Sequence, residues 1–198
     1  MNHIPLFDGA ELKVLVEENA KQMFTLIDQN RMHLREWLPW VDSTREPAST
    51  RGFIDGTIRL REMNQGIHYG IWYEGSFAGT LGVHGINWAN RNTTIGYWLG
   101  SQYQGRGLMT HAVYQYINRL VFGKWNLNRV QIAAATDNAR SRAIPERLGF
   151  QLEGVLRENE FVNERYVDHA IYGMVAGDWC KLHSHQKTPT NGLTRKFR

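Results

Sequence analysis

Gln104-Gly105-Arg106-Gly107 stands between an apolar run, Ile95 to Leu99, and a helical pattern from Leu108 through Val121. A strand, a glycine turn and a helix in that order suit the capture of an anion. The first turn of a helix has N–H groups without intrahelical partners and carries a partial positive charge. Glycine lets the main chain approach a phosphate with no Cβ in the way. The chemistry expected here is the binding of a phosphate, a pyrophosphate above all, by backbone amides of this segment. A dinucleotide fingerprint would need a third glycine where Thr110 stands, and a P-loop would need Gly-Lys-Ser/Thr after four spacer residues. The chain has neither.

A second block follows. Val130 to Ala135 is short, apolar and β-branched at its start, which predicts a buried strand. Asn138 then suits a helix N-cap, and Gly149 suits the left-handed position that ends a helix. Between them, Pro145 has no N–H to donate to the Ser141 carbonyl, so the predicted helix carries a local break.

Together the two blocks resemble the GNAT superfamily of acetyl-CoA-dependent N-acetyltransferases. Gln104 and Gly107 match the first and fourth positions of its Gln/Arg-x-x-Gly-x-Gly/Ala loop, while Met109 departs from the small sixth residue. Asn138, Gly149 and Phe150 match Asn-x-x-Ala-x-x-Leu-Tyr-x-x-x-Gly-Phe, with Ile144 at the Leu position. Ser141 replaces the usual Ala, and Pro145 replaces the Tyr that protonates the thiol in many members. With Ile95-Gly-Tyr-Trp-Leu99 and Glu160-Phe-Val-Asn163, the chain resembles the bacterial ribosomal-protein N-terminal acetyltransferases over roughly residues 10–180.

The resemblance implies a single α/β domain over residues 1–180. Its mixed sheet would have about seven strands with splayed central parallel strands, and four flanking helices. It implies acetyl-CoA as cosubstrate, with the pantetheine arm lying between the splayed strands. The backbone at Trp98 and Leu99 would pair with that arm. Gln104, Gly105, Arg106, Gly107, Leu108 and Met109 would form the pyrophosphate loop, with Asn138 and Ser141 at the pantetheine. It also implies roles in the chemistry. An α-amine of pKa about 8 is mostly protonated at neutral pH and needs a base. Glu160 holds the position of that base, and Ser141 becomes the candidate acid for the departing thiolate. Ser141 also reads as a small residue needed for close approach, and Glu160 as a solvated edge-strand carboxylate. Strand alternation puts Glu158 on the face of Glu160, and Glu153 is a weaker rival. A backbone N–H near Trp98 or Leu99 is best placed for the oxyanion.

For the acceptor, Trp37, Trp40 and His84 are the candidate contacts, with His68 and Trp72 beside them. Aromatic rings with a polar tip suit peptide contacts. The histidines lack metal-ligand spacing, so no metal is inferred. The acceptor is a protein N-terminus, a small amine or an aminoglycoside-like drug, and the resemblance favours a ribosomal protein N-terminus.

The frame that must position these groups reads β-α-α-β-β-β-α-β-α-β-β. A strand covers Leu12 to Val16, helices cover 18–38 (broken near Asn30) and Thr50 to Met63, and strands cover Ile67 to Tyr73 and Phe77 to His84. Ile86 to Asn92 reads as a loop. Leu152 to Val162 and Tyr166 to Val175 form a long hairpin, whose exposed strand offers a surface for homodimer pairing. The 198 residues are 42% hydrophobic and 21% charged, as in ordinary globular chains. No apolar run has the ~20 residues of a membrane span, and no basic-then-apolar leader is present. The lone Cys180 excludes an intrachain disulfide, points to a reducing, cytoplasmic setting, and reads as a partly buried structural residue. Five of the 23 basic residues fall in 181–198, which holds no acid. The remaining basic residues nearly balance the 19 acids, so the net charge of +4 belongs to a polar tail expected to be disordered. Nucleic-acid contact is expected only weakly, through that tail. Two rivals from other classes remain: a CoA-binding sensor without catalysis, and a ribosome-associated binder acting through the tail.

Overall fold

A computed structural model describes residues 1–183. In chain order its strands are β1 (His3–Phe7), β2 (Ala10–Val14), β3 (Tyr69–Tyr73), β4 (Ser76–Asn87), β5 (Asn92–Leu99), β6 (Arg129–Ala135), β7 (Gln151–Val162) and β8 (Arg165–Val175). The helices are α1 (Ala20–Gln29), α2 (Arg31–Arg35), α3 (Pro47–Glu62), α4 (Leu108–Tyr116), α5 (Ala139–Arg147) and α6 (Ala176–His183). Wide π turns continue α4 over Ile117–Lys124.

The strands form one sheet in the order β1-β2-β3-β4-β5-β6-β8-β7. Neighbours are antiparallel except β5 and β6, which run parallel. Sheet alternation sends successive side chains to opposite faces. Ile95 and Leu99 of β5 join the larger core under α4. Trp98 joins the smaller core built with α1 and α3. Each face is therefore covered by helices, and β5 contributes to both layers.

Three parts of this frame differ from the sequence reading. The sheet has eight strands because β1 exists despite Pro5. Proline is tolerated on an edge strand, and Ile4 and Leu6 still alternate inward. The region read as a loop from Ile86 is shorter, since β4 runs to Asn87 and β5 starts at Asn92. Finally, six α-helices stand among the described residues where four were expected, because the first predicted helix divides at Asn30 into α1 and α2 and α6 continues the chain past Val175, so the boundary at residue 180 falls inside a helix. Trp179 sets the buried face of α6 by packing on Tyr114 and Phe122. Its neighbour Cys180 then points outward and is exposed, not partly buried as expected. The rest of the predicted tail, 184–198, lies outside the described residues.

Candidate active site

The decisive geometry is a break between β5 and β6. Their parallel register runs from Asn92 opposite Arg129 to Ile95 opposite Ile132, and stops there. Beyond it, β5 continues pairing with β4 through Leu99, and β6 continues pairing with β8 through Ala135. Gly96–Leu99 and Ala133–Ala135 thus diverge, each with one edge unpaired. The Gly100 N–H bonds Ala78 O at 2.9 Å, on the β4 side. Alternation then sends the Tyr97 and Leu99 amides toward the gap, and the Trp98 amide away from it. A groove of about 1460 Å³ passes through this opening, lined by Thr94 to Leu99, Ala133 to Ala135, and residues of α1, α3, α4 and α5.

At one end lies the glycine turn. Gly105 and Gly107 have φ of +73° and +72°. A Cβ at Gly105 would meet nothing within 4 Å, which leaves the turn open on that side. The first bond of α4 runs from the His111 N–H to Gly107 O at 3.0 Å, so the Leu108, Met109 and Thr110 amides have no intrahelical acceptor. All three residues line the groove. This open turn with convergent amides fits a pyrophosphate. Gln104 is held between two neighbours. Arg140 donates to its Oε1 at 2.8 Å, and its Nε2 lies 2.8 Å from His33 Nε2. Burial, then the Arg140 charge, lowers the proton affinity of His33. Arg106 is turned away, with its guanidinium 5.5 Å from the Tyr73 ring centre.

On the α5 side, Asn138 caps its helix as expected, accepting from the Ser141 N–H at 3.0 Å. Ser141 and Asn138 both line the groove. The Ser141 carbonyl, denied a partner by Pro145, accepts instead from the Tyr97 hydroxyl at 3.0 Å. Burial raises the Tyr97 pKa above the ordinary tyrosine value, so that hydroxyl stays protonated and donates. Leaving a buried acceptor without any partner costs about 1–3 kcal/mol. Further along α5, Arg142 donates to Tyr172 Oη at 2.9 Å and to Thr136 O at 2.8 Å, and the Tyr172 hydroxyl donates to Glu146 at 2.6 Å. These contacts bind α5 to β8.

Glu160 from β7 also lines the groove. Its Oε2 lies 3.2 Å from His169 Nε2. His169 Nδ1 lies 3.1 Å from Asn159 Nδ2, an amide donor. Nδ1 therefore accepts, and Nε2 carries the proton toward Glu160. His84 stands open to the groove near Glu160. The surrounding protein lowers its proton affinity, while the Glu160 carboxylate acts in the opposite direction. His84 occupies the space left by Gly96, and His68 the space left by Gly82.

Glu158 does not share this site. Between Leu156 opposite His169 and Glu160 opposite Val167, β7 spends four steps against two on β8. The bulge puts Glu158 at φ +49°, with its N–H on Asp168 Oδ1 at 2.8 Å, so strand alternation fails there. Glu153 forms a two-point ion pair with Arg129, which holds its carboxyl below the usual range. It is unsuited to act as a base. Trp72 is also absent from the groove, buried edge-on against Phe77 with ring centres 5.1 Å apart. Trp37 and Trp40 do line it. Trp37 packs on Ala135, Val162 and Val167, on the β6–β8–β7 side of the opening. Trp40 leans on Trp98 at 6.1 Å.

His169, His33 and Phe53 also belong to the groove and were missed in the sequence. The pairing of His169 with Glu160 was hidden because the bulge shifts the register that alternation assumes. Among the described residues, no group of three or more His, Cys, Asp or Glu side chains is arranged to hold a metal.

The profile of the acetyltransferase (GNAT) domain family matches residues 11–151. The chain belongs to this family. It is 34% identical over 170 residues to YdaF of Bacillus subtilis (strain 168), covering 85% of this chain and 92% of that protein. RimL, a ribosomal L7/L12 α-N-protein acetyltransferase solved with coenzyme A, superposes with a TM-score of 0.80 at 28% identity, over 87% of this chain and 97% of its own. The microcin C7 self-immunity acetyltransferase MccE, solved with acetyl-CoA and AMP, gives a TM-score of 0.83 at 29% identity, over 88% and 96%. The GNAT chain described here is an acetyl-CoA-dependent N-acetyltransferase. No helix among the described residues is long and apolar enough to cross a membrane.

One consequence concerns stability. Burial pushes the His68 pKa from 6.5 down to about 4, against a stabilising contact between its Nε2 and Val83 O at 2.9 Å. Between those pH values the unfolded chain binds more protons than the folded one. His68 therefore favours folding above pH 6.5, and that stability is lost as pH falls toward 4, on the order of 3 kcal/mol in all. Urea midpoints measured at pH 7 and 4.5 should fall further in the native protein than in a His68→Gln variant. Equal falls would contradict it.

Proposed function

We propose that this GNAT enzyme acetylates the N-terminal α-amine of a protein, with a ribosomal protein as the first class to test. The observation that carries the reading is the convergence of Glu160, His169 and His84 on the groove that passes through the splay, where the thioester would lie. Glu160 takes the proton of the acceptor ammonium through a water, and the His169 N–H holds its carboxylate in place. The free amine attacks the thioester carbonyl, forming the C–N bond. The developing oxyanion is met by the Leu99 N–H, which faces the gap. Collapse breaks the C–S bond; the Ser141 hydroxyl protonates the leaving thiolate and is itself reprotonated, through solvent, by the proton that the new amide nitrogen loses. Trp37 and Trp40 flank the acceptor chain. RimL supports this reading as an α-N-protein acetyltransferase of the same fold.

A small-molecule amine is the second reading. Aromatic side chains at Trp40, Trp98 and Phe53 along the groove suit a planar ring, and the MccE structure is a complex with acetyl-CoA and AMP. Release of CoA thiol against Ser-, Ala- and Met-initiated peptides, their N-blocked forms and a panel of small amines separates the two. Turnover with free but not blocked peptides supports the first, turnover with small amines alone supports the second, and acetyl-CoA binding without any turnover supports a sensor.

A further inference from the structure

We propose that Tyr97 is a positioning residue for the acetyl transfer, acting through Ser141 by standing in for the helical N–H that Pro145 removes. This rests on the reading of Ser141 as the acid. Three observations carry it. Pro145 lies inside α5, so residue 145 cannot donate to the carbonyl four positions earlier. The Tyr97 hydroxyl supplies that donor at 3.0 Å. Tyr97 also sits on β5 beyond Ile95, where β5 has parted from β6.

The consequence is mechanical. Past Ile95 no backbone bond joins β5 to β6, the strand that leads into α5. The Tyr97–Ser141 bond ties the two arms of the splay at the residue meant to protonate the thiolate. It fixes the distance between the Leu99 amide on β5 and the Ser141 side chain on α5. The ring packs against the core beneath α4, which holds the hydroxyl in place. Ser141 is held from its other end by the Asn138 cap on its own N–H. One residue of α5 is thus fixed at both backbone groups, in a helix that would otherwise be interrupted at that point.

The test is complementation. Tyr97→Phe removes the donor, and Pro145→Ala restores a helical N–H to the same carbonyl. Tyr97→Phe is expected to lower kcat at least tenfold with little change in the KM for acetyl-CoA, and to lower the melting temperature. In the Pro145→Ala background the same change should cost less than twofold in kcat and leave the melting temperature nearly unmoved. In the Ser141→Ala background it should slow turnover little further, because its effect passes through Ser141. Equal losses of kcat with and without Pro145 would overturn the proposal. So would a melting loss with unchanged kcat, which would make Tyr97 structural only. If Tyr97→Phe alone does not fold, a folded and active double variant upholds the proposal and an unfolded one defeats it. Wild-type kcat in Ser141→Ala would defeat the acid assignment itself. A slow Ser141→Ala with additive Tyr97→Phe would defeat only the role of Tyr97.

Discussion

Glu160→Gln is expected to lower kcat by about 10²-fold or more, the scale of losing a general base. Glutamine preserves the volume and keeps an oxygen for the His169 N–H, which donates across 3.2 Å. The variant thus removes proton affinity and little else. A hundredfold loss corresponds to about 2.7 kcal/mol of transition-state stabilisation. The KM for acetyl-CoA should change little, because Glu160 stands on β7, whereas the proposed phosphate contacts lie in the turn before α4. Steady-state kinetics at saturating acceptor measure both. Turnover at the wild-type rate would remove Glu160 from the mechanism and make His84, a groove-lining imidazole that feels the Glu160 charge, the next base to test.

The second large effect is expected at the phosphate turn. Gly107 holds φ at +72° immediately before α4. A β-branched residue is a genuine outlier there, and strain of this kind costs on the order of 1–3 kcal/mol. Gly107→Val must either keep the strain or shift the amides of Leu108 and Met109 away from the phosphate. Since 1.4 kcal/mol is a factor of ten in affinity, the Kd for acetyl-CoA should rise about tenfold or more. Calorimetric titration of acetyl-CoA into the variant checks it. The KM for the acceptor, whose proposed contacts Trp37, Trp40 and His84 lie on other elements, should move far less. An unchanged Kd would show that these amides do not hold the pyrophosphate.

Much of the fold was legible because its signals are local. Asn138 caps α5 and Gly149 ends it at φ +79°, both as residue type alone predicts. The glycine turn before α4 was legible for the same reason, since glycines at positive φ and a following helix are encoded within a few residues. What was hidden depends on register or tertiary packing. Pro5 disguised an edge strand, and the bulge around Glu158 broke the alternation that had placed it beside Glu160. Trp72 and Trp40 are chemically alike, and only packing sends one into the core and the other to the groove. The break at Pro145 was visible in the sequence. Its partner Tyr97 was not, because the two elements lie 44 residues apart along the chain.

The most direct measurement is fragmentation mass spectrometry of the product formed from one peptide that carries both a free α-amine and a lysine. Acetylation of the α-amine alone, dependent on Glu160, is the predicted result. An acetyl group on the lysine, or none on the peptide while a small amine is turned over, would contradict α-amine transfer.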